Sequence, residues 1–150
     1  MNAGLALHGD TAYVGARNDR PGILIVDVSD PAAPAVTGSI PGASGHSLRE
    51  VRVIPSLALL VAIELHCYAA YHACTSATDA SGFLRVYDVS SPREPALLES
   101  ITLSPDAHEM FLWVDPADPT RALVYLTTPP GPPALVVYEF VPGRPARAAA

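Results

Sequence analysis

The 150-residue sequence contains no lysine, and all nine of its basic residues are arginine. No run of arginines occurs, and the formal net charge is −6 at pH 7. Nucleic-acid-binding domains usually carry a clustered basic surface, so we expect no nucleic-acid partner. Cysteine is equally scarce, since Cys67 and Cys74 are the only two.

Long hydrophobic runs are also missing. The longest apolar stretch is Leu57–Ile63, far below the ~18 residues of a membrane-spanning helix, so no membrane span is expected. The first residues lack a basic segment, and Leu5–Leu7 is interrupted at once by His8 and Gly9. The chain as it stands therefore shows no secretory signal peptide.

Proline is abundant, with 16 residues, and interrupts most of the chain outside the interval from Pro55 to Pro92. Proline breaks helix interiors, so long helices are not expected. The hydrophobic share of 49% and the charged share of 16% are typical of a folded protein with a real core. A chain of this length forms one ordinary domain.

An internal repeat is the most informative feature. DVSDPAAPAVTGSI (Asp27–Ile40) and DVSSPREPALLESI (Asp88–Ile101) are identical at eight of fourteen positions with a constant offset of 61 residues. A weaker third copy, VYEFVPGRP, keeps the Pro-x-x-Pro spacing at Pro142 and Pro145. Repeats of this period are typical of stacked or radial arrays, because one unit cannot bury both of its faces alone.

Each repeat reads as a set of short strands, since β-branched and aromatic residues alternate with turn signals. The aspartates Asp27 and Asp88 end equivalent strands before Ser and Pro, which predicts that both serve turns. The predicted strands are Gly4–Leu7, Ala12–Ala16, Ile23–Val28 and Ala35–Ile40; then Ser47–Ile54, Leu57–Leu65, Phe83–Val89 and Ala96–Leu103; then Glu109–Val114, Ala122–Thr127 and Ala134–Phe140.

Several of these strands are apolar on both faces, notably Leu57–Ile63 and Ile23–Val26. Such strands fit a sheet that other sheets cover on both sides. Four-stranded antiparallel sheets stacked face to face around an axis form a β-propeller. A single β-sandwich with a fortuitous repeat is the alternative, but a sandwich has no need for a fixed offset.

The stretches ILIVDVSDPAAPAVTGSI and FLRVYDVSSPREPALLESI resemble the LVIVD-type repeat of bacterial propeller proteins, many of them secreted or surface-associated. Further stretches are similar to one branch of that family, namely LALHGDTAYVGARND, SLREVRVIP, the Cys/His segment and HEMFLWVDPADPTRALVYLTTP. The resemblance implies an all-β propeller fold and an extracytoplasmic or secreted location for the full-length protein. It is specific for the fold but not for an activity, because the repeat consists of turn and core residues.

The expected organisation is a partial β-propeller over residues 1–141, followed by a Pro/Ala-rich tail over 142–150. Two complete blades span about 3–40 and 47–103, and a partial blade spans about 108–141. Closed propellers have about 4 to 8 blades, so three would leave an open arc with two apolar flanks. We expect self-association or missing blades to cover these flanks.

Strand order predicts which loops share a face. The loop before each first strand and the loop between the second and third strands open on one side, and here these loops are the longer and chemically richer set. Loops held by a rigid scaffold usually carry binding residues. The candidates on this face are Arg17, Asp19, His46, Arg49, Tyr68, Tyr71, His72, His108 and Glu109.

The residues expected on this face suggest two alternative functions for the protein. The first is a non-catalytic binding module that engages a protein, a glycan or a small molecule and needs no cofactor. The alternative is a metal-dependent hydrolase or oxidoreductase, in which His46 and His108, with His72 nearby, hold a divalent metal. No HxH or HExxH spacing is present, and each histidine can instead bond loop backbone. Arg49 and Glu50 are interpreted as a structural ion pair or a strand-edge contact and not as a catalytic pair.

The segment HCYAAYHAC (residues 66–74) holds both cysteines. Six residues separate Cys67 from Cys74, which does not fit the closer spacing of zinc fingers. A disulfide, two packed thiols, and a metal or redox site all stay open. A disulfide requires an oxidising compartment, in agreement with the secreted habit that the resemblance implies.

Overall fold

The computed structural model describes residues 2–17, 22–66, 81–104, 106–128 and 135–149. These residues form twelve β-strands and one short 3-10 turn, η1. The strands are β1 (Asn2–His8), β2 (Thr11–Ala16), β3 (Ile23–Asp27), β4 (Ala35–Ile40), β5 (His46–Ile54), β6 (Leu59–His66), β7 (Gly82–Asp88), β8 (Ala96–Leu103), β9 (Glu109–Val114), β10 (Ala122–Thr127), β11 (Leu135–Phe140) and β12 (Arg147–Ala148); η1 spans Pro55–Leu57.

The strands form three four-stranded antiparallel sheets in chain order: β1 to β4, β5 to β8, and β9 to β12. Every neighbouring pair is joined by a simple up-and-down connection. The arrangement is open, because no further sheet formed by the described residues links the last blade to the first. The all-β, propeller-like fold expected from the repeat is confirmed, and we call the sheets the first, middle and last blade.

Seven strands begin or end one or two residues from their predicted bounds, and two differences change the description of a blade. Leu57 belongs to η1 and not to the strand that follows, because Pro55 starts a 3-10 turn that ends at Ala58 in the left-handed region (φ 49°). The last blade is also fuller than expected. Arg147 and Ala148, inside the stretch predicted as a tail, pair with Glu139 and Tyr138 as a short fourth strand.

The repeated aspartates serve turns, as predicted. Asp27 Oδ1 accepts a hydrogen bond from the Ser29 N–H at 3.0 Å, and Asp88 Oδ1 accepts one from the Ser90 N–H at 2.7 Å. These backbone hydrogen bonds lower the pKa of both carboxyls, since they favour the charged form. Asp27 also pairs with Arg93 of the middle blade and so links the two blades.

Strand β6 of the middle blade is buried on both of its faces. Leu60 and Ala62 of β6 pack in a core shared with the first blade, and Val61 and Ile63 pack in a second core shared with the last blade. All four side chains are fully buried. The prediction of a two-sided strand is therefore confirmed for β6.

The first blade behaves differently. Ile23 and Ile25 are buried against the middle blade, but Leu24 and Val26 on the opposite face are only half-buried. The expectation that this strand is covered on both faces is wrong for the chain by itself. The reason is that no blade precedes the first one among the described residues.

The blades meet most closely at their innermost strands. A Cβ added to Gly4 of β1 would lie 2.8 Å from the Val51 backbone nitrogen of β5, so only glycine fits this approach. Further out, the fully buried Tyr13 donates its hydroxyl hydrogen to the Pro92 carbonyl oxygen at 2.7 Å. Hydrogen bonds and apolar cores thus fix the angle between neighbouring blades.

Candidate binding face

His46 lies at the start of β5, on the face that carries the longer loops. It pairs in register with His66 at the end of β6, so both histidines lie at this face of the middle blade. His46 Nδ1 lies 3.0 Å from the Ser44 carbonyl oxygen, and Nε2 lies 3.1 Å from the Ser81 carbonyl oxygen. The buried ring also packs against Phe83 at a centroid distance of 4.9 Å.

This environment gives His46 a structural role. Both ring nitrogens face backbone acceptors, so the side chain ties the loop before β5 to the start of β7. A metal-ligand role would require one of these contacts to be exchanged for the metal. The hydrogen-bonding role that the sequence offered as the alternative fits the observed geometry.

His66 and Asp106 lock the middle blade to the last blade. Asp106 Oδ2 lies 2.7 Å from His66 Nδ1 and accepts a hydrogen bond from the His66 backbone N–H at 3.0 Å. Both side chains are mostly buried. Gly82 makes the approach possible, because a Cβ there would lie 2.6 Å from the Asp106 Cβ and 2.3 Å from the Glu64 carbonyl oxygen.

Glu64 is a buried charge inside an otherwise apolar strand, with 1% of its surface exposed. Its Oε2 accepts a hydrogen bond from the Ala43 N–H at 3.2 Å and lies 3.1 Å from Arg85 Nε. The Arg85 contact is an ion pair whose angle is too poor for a hydrogen bond. The Arg85 guanidinium also stacks over Phe83 at 4.8 Å. A buried carboxylate needs such partners. Through the hydrogen bond from Ala43, Glu64 also fixes the loop before β5.

Arg49 connects the inner strands β5 and β9. Its Nη2 lies 2.6 Å from Glu109 Oε1, and its Nε donates to the His108 carbonyl oxygen at 3.0 Å. His108 Nδ1 lies 3.1 Å from the same Glu109 oxygen. Half of each of the His108 and Glu109 side chains is exposed, so this group can meet a ligand.

The Glu50 carboxyl lies within hydrogen-bonding reach of the Glu109 carboxyl beside this cluster. Burial raises the pKa of Glu50, and the hydrogen bond to Glu109 raises it further. The Arg49 guanidinium lowers the pKa of Glu109. As the pH falls, Glu50 therefore takes up a proton before Glu109 does. Arg52 Nη2 lies 2.7 Å from Glu50 Oε2, off the angle of a hydrogen bond, so the predicted pairing of Arg49 with Glu50 is replaced by two separate ion pairs.

Five of the predicted binding-face residues lie in the described part of the chain. His46, Arg49, His108 and Glu109 lie on this face within the contacts just described, and Arg17 follows β2 at the same side of the first blade. The remaining predicted residues lie outside the described part of the chain, and no structure is assigned to them: Asp19, Cys67, Tyr68, Tyr71, His72 and Cys74.

Three residues that hold the face together were not among the predicted site residues: His66, Asp106 and Glu64. Glu64 had a usable signal, because a single carboxylate in the run LLVAIEL must find buried partners once the strand is covered on both faces. Asp106 had no such signal in the sequence, since its pairing with His66 joins residues on different blades.

A metal site receives no further support from the described residues. Among residues 2–17, 22–66, 81–104, 106–128 and 135–149, no group of three His, Cys, Asp or Glu side chains is placed to hold an ion. The metal hypothesis stays a prediction, because His72 and both cysteines lie outside these ranges.

A large cavity lies away from this face. It has a volume of about 740 Å³ and opens at the other end of the blades, between the β5–β6 turn and the segment after β11. Its lining is mostly apolar, with Leu57, Leu98 and Phe140 as the larger side chains. It contains no cluster of chemically reactive groups.

The fold and these contacts define a β-propeller-type module made of three blades with a loop-bearing face. The family model described as LVIVD repeat matches residues 2–41, which is the first blade. The chain therefore carries an LVIVD repeat, and the resemblance seen in the sequence is confirmed. No curated protein matches the chain. Among the described residues, no helix has the length and apolar character needed to cross a membrane.

Proposed function

We propose that the protein is a non-catalytic binding module whose loop-bearing face engages a protein, a glycan or a small molecule. The observation that carries this proposal is the way the face is built. Buried contacts at His46, His66 and Glu64 hold three loops in place. The half-exposed side chains of His108 and Glu109, held by the more buried Arg49, lie on that frame. A site held on a rigid frame loses little entropy on binding.

The group of Arg49, His108 and Glu109 suits polar ligands. Arg49 supplies guanidinium donors and Glu109 supplies carboxylate acceptors, within one cluster that is partly open to solvent. Donors and acceptors side by side match hydroxyl-rich sugars and polar peptide loops, which carry both kinds of group. Catalysis lacks comparable support, since the described contacts contain no nucleophile activated by a base.

A panel of glycans and peptides presented to the immobilised protein tests this function. Arg49→Ala removes the link to Glu109, and Arg93→Ala is the matched control, because it removes a comparable inter-blade ion pair at the opposite end of the blades. We expect ligands that bind the wild type and Arg93→Ala but lose at least about tenfold in affinity for Arg49→Ala. Binding that is lost in Arg93→Ala alone, or chemical conversion of the bound ligand, would contradict the proposal.

We further propose that the module works outside the cytoplasm, with Cys67 and Cys74 joined as a disulfide in the 67–80 segment. A bridge closing this short loop would contribute about 2 to 3 kcal/mol by the chain-entropy relation. The proposal rests on the cysteine spacing and on the secreted habit of proteins with this repeat. Intact mass after alkylation with and without reductant tests it, and two thiols that alkylate without reductant would rule the bridge out.

A further inference from the structure

The outer face of the first blade is apolar and uncovered. Its residues alternate along the strands with those that pack on the middle blade, as Leu5 and Leu7 alternate with the buried Ala6. Leu5, Leu7 and Val36 are 59%, 58% and 63% exposed. We call this surface the first flank, and it comprises Leu5, Leu7, Val14, Leu24, Val26 and Val36.

The outer face of the last blade is its counterpart. Phe111 and Leu135 are 65% and 64% exposed, and Phe111 contacts the ring of Tyr125 at a centroid distance of 6.2 Å. Strand register places these residues opposite the face that packs on the middle blade. We call this surface the last flank, and it comprises Phe111, Trp113, Leu123, Tyr125, Leu135 and Val137.

The repeat shows how the two flanks correspond to the interfaces inside the chain. In each blade, an acidic residue of the third strand pairs in register with a residue of the second strand. These register pairs are Thr11–Asp27, Leu59–Asp88 and Leu123–Glu139, and they align the second strands of the three blades. Tyr13, Val61 and Tyr125 then occupy the same position. Tyr13 packs on the blade that follows it, and so does Val61. Tyr125 therefore faces the place of the next blade.

The polar part of the interface is conserved between the flanks as well. Inside the chain, the Tyr13 hydroxyl donates to the carbonyl oxygen of Pro92, in the Pro-x-x-Pro turn of the next blade. Pro31 is the first-blade equivalent of Pro92 at the offset of 61 residues. The last flank thus carries the donor, Tyr125, and the first blade carries the acceptor turn. The Asp27–Arg93 ion pair has no counterpart, because Ala32 stands at the Arg93 position.

We propose that two copies of this chain pair head to tail, with the last flank of each packed on the first flank of the other. Two copies of three blades make a ring of six, within the roughly 4 to 8 blades that close a propeller. Three copies would exceed that range. The pairing uses two identical contacts related by a two-fold axis, so no flank stays exposed.

Native mass spectrometry and light scattering at micromolar concentration test the ring. The wild type should have twice the 15.7 kDa chain mass. Leu7→Asp places a charge on the first flank, and Phe111→Asp places one on the last flank. Each variant alone should weaken dimerisation at least about 30-fold, the factor for a central interface residue. Leu97→Asp is the matched control, since this leucine is 51% exposed on β8 and lies on neither flank.

Mixing the two flank variants gives the sharpest readout. A mixed pair retains one intact contact, formed by the last flank of Leu7→Asp and the first flank of Phe111→Asp. Dimers should therefore reappear in the mixture, which also shows that both variants are folded. A monomeric wild type would overturn the proposal and would mean that something other than a second copy covers the flanks. A mixture that stays monomeric, or a dimer broken by only one of the two variants, would overturn head-to-tail pairing.

Discussion

The middle blade and the two outer blades have similar strands but different surroundings. In β6 of the middle blade, neighbouring residues Leu60 and Val61 point to opposite faces and are both fully buried. In β1 of the first blade, the same alternation buries Ala6 and leaves Leu5 and Leu7 more than half exposed. The comparison shows that a blade sequence encodes two covered faces, and that neighbouring blades must supply the cover.

A leucine deletion in each region should separate the two environments most strongly. Leu84→Ala empties a fully buried site in the middle blade, and we expect it to lower the free energy of unfolding by about 2 to 5 kcal/mol. Leu7→Ala makes the same chemical change on the first flank, and in dilute protein it should cost less than about 1 kcal/mol. Urea denaturation followed by Trp113 fluorescence measures both. Equal losses would show that the first flank is covered within the single chain.

Substitution of Gly82, the glycine beside the His66–Asp106 contact, should have the next largest effect on stability. The methyl group added by Gly82→Ala would push against both the Asp106 side chain and the Glu64 carbonyl oxygen. We expect the free energy of unfolding to fall by about 1 to 3 kcal/mol. Gly38→Ala is the control on the first blade, because its added methyl would lie at an ordinary 3.6 Å from Ile25 Cδ1. Thermal unfolding compares the two variants. A neutral Gly82→Ala would mean that the loop before β9 moves without loss.

Tyr13, between the first and middle blades, should make the stability of the protein depend on pH in the alkaline range. Burial raises the pKa of Tyr13 from 10.0 to about 12. A raised folded-state pKa means that its stabilisation is complete below pH 10 and is lost as the pH rises towards 12. Tyr13→Phe should cost about 1 kcal/mol at neutral pH through the lost hydrogen bond to Pro92. It should also flatten the decline in stability between pH 10 and 12, and an unchanged decline would assign that decline to other groups, such as Tyr87.

The repeated turn aspartates should give the smallest effect. Asp27→Ala and Asp88→Ala each remove one hydrogen bond to a turn N–H, and Asp27 also loses its inter-blade pair with Arg93. We expect both melting temperatures to stay within a few degrees of wild type, with the larger fall for Asp27→Ala. The reverse order would show that the link between the blades contributes nothing at this turn.

Much of the fold could be predicted from the sequence because the repeat carries local signals. Four strands, β4, β8, β9 and β10, match their predicted bounds, since turn residues mark both ends of each. The two-residue β12 could not be predicted, because Arg147 and Ala148 have no strand pattern and pair only where β11 offers a free edge. Its existence depends on tertiary structure.

The candidate site was less predictable, for a physical reason. Loop position was enough to place His46, Arg49 and Glu109 on one face. Their partners come from other blades or from loop backbone, as with Asp106 for His66 and Ser81 for His46. These two contacts join residues that are 35 and 40 positions apart in the chain, so local composition does not predict them.

Hydrogen exchange of dilute protein tests the central claim most directly. β2, β6 and β10 are each bonded to strands on both sides, so differences in their exchange report how well their faces are covered. We predict that the amides of β6 exchange more slowly than those of β2 and β10, because among the three described blades only the middle one has a neighbour on each face. Exchange of β6 that is as fast as that of β2 and β10 would contradict the account.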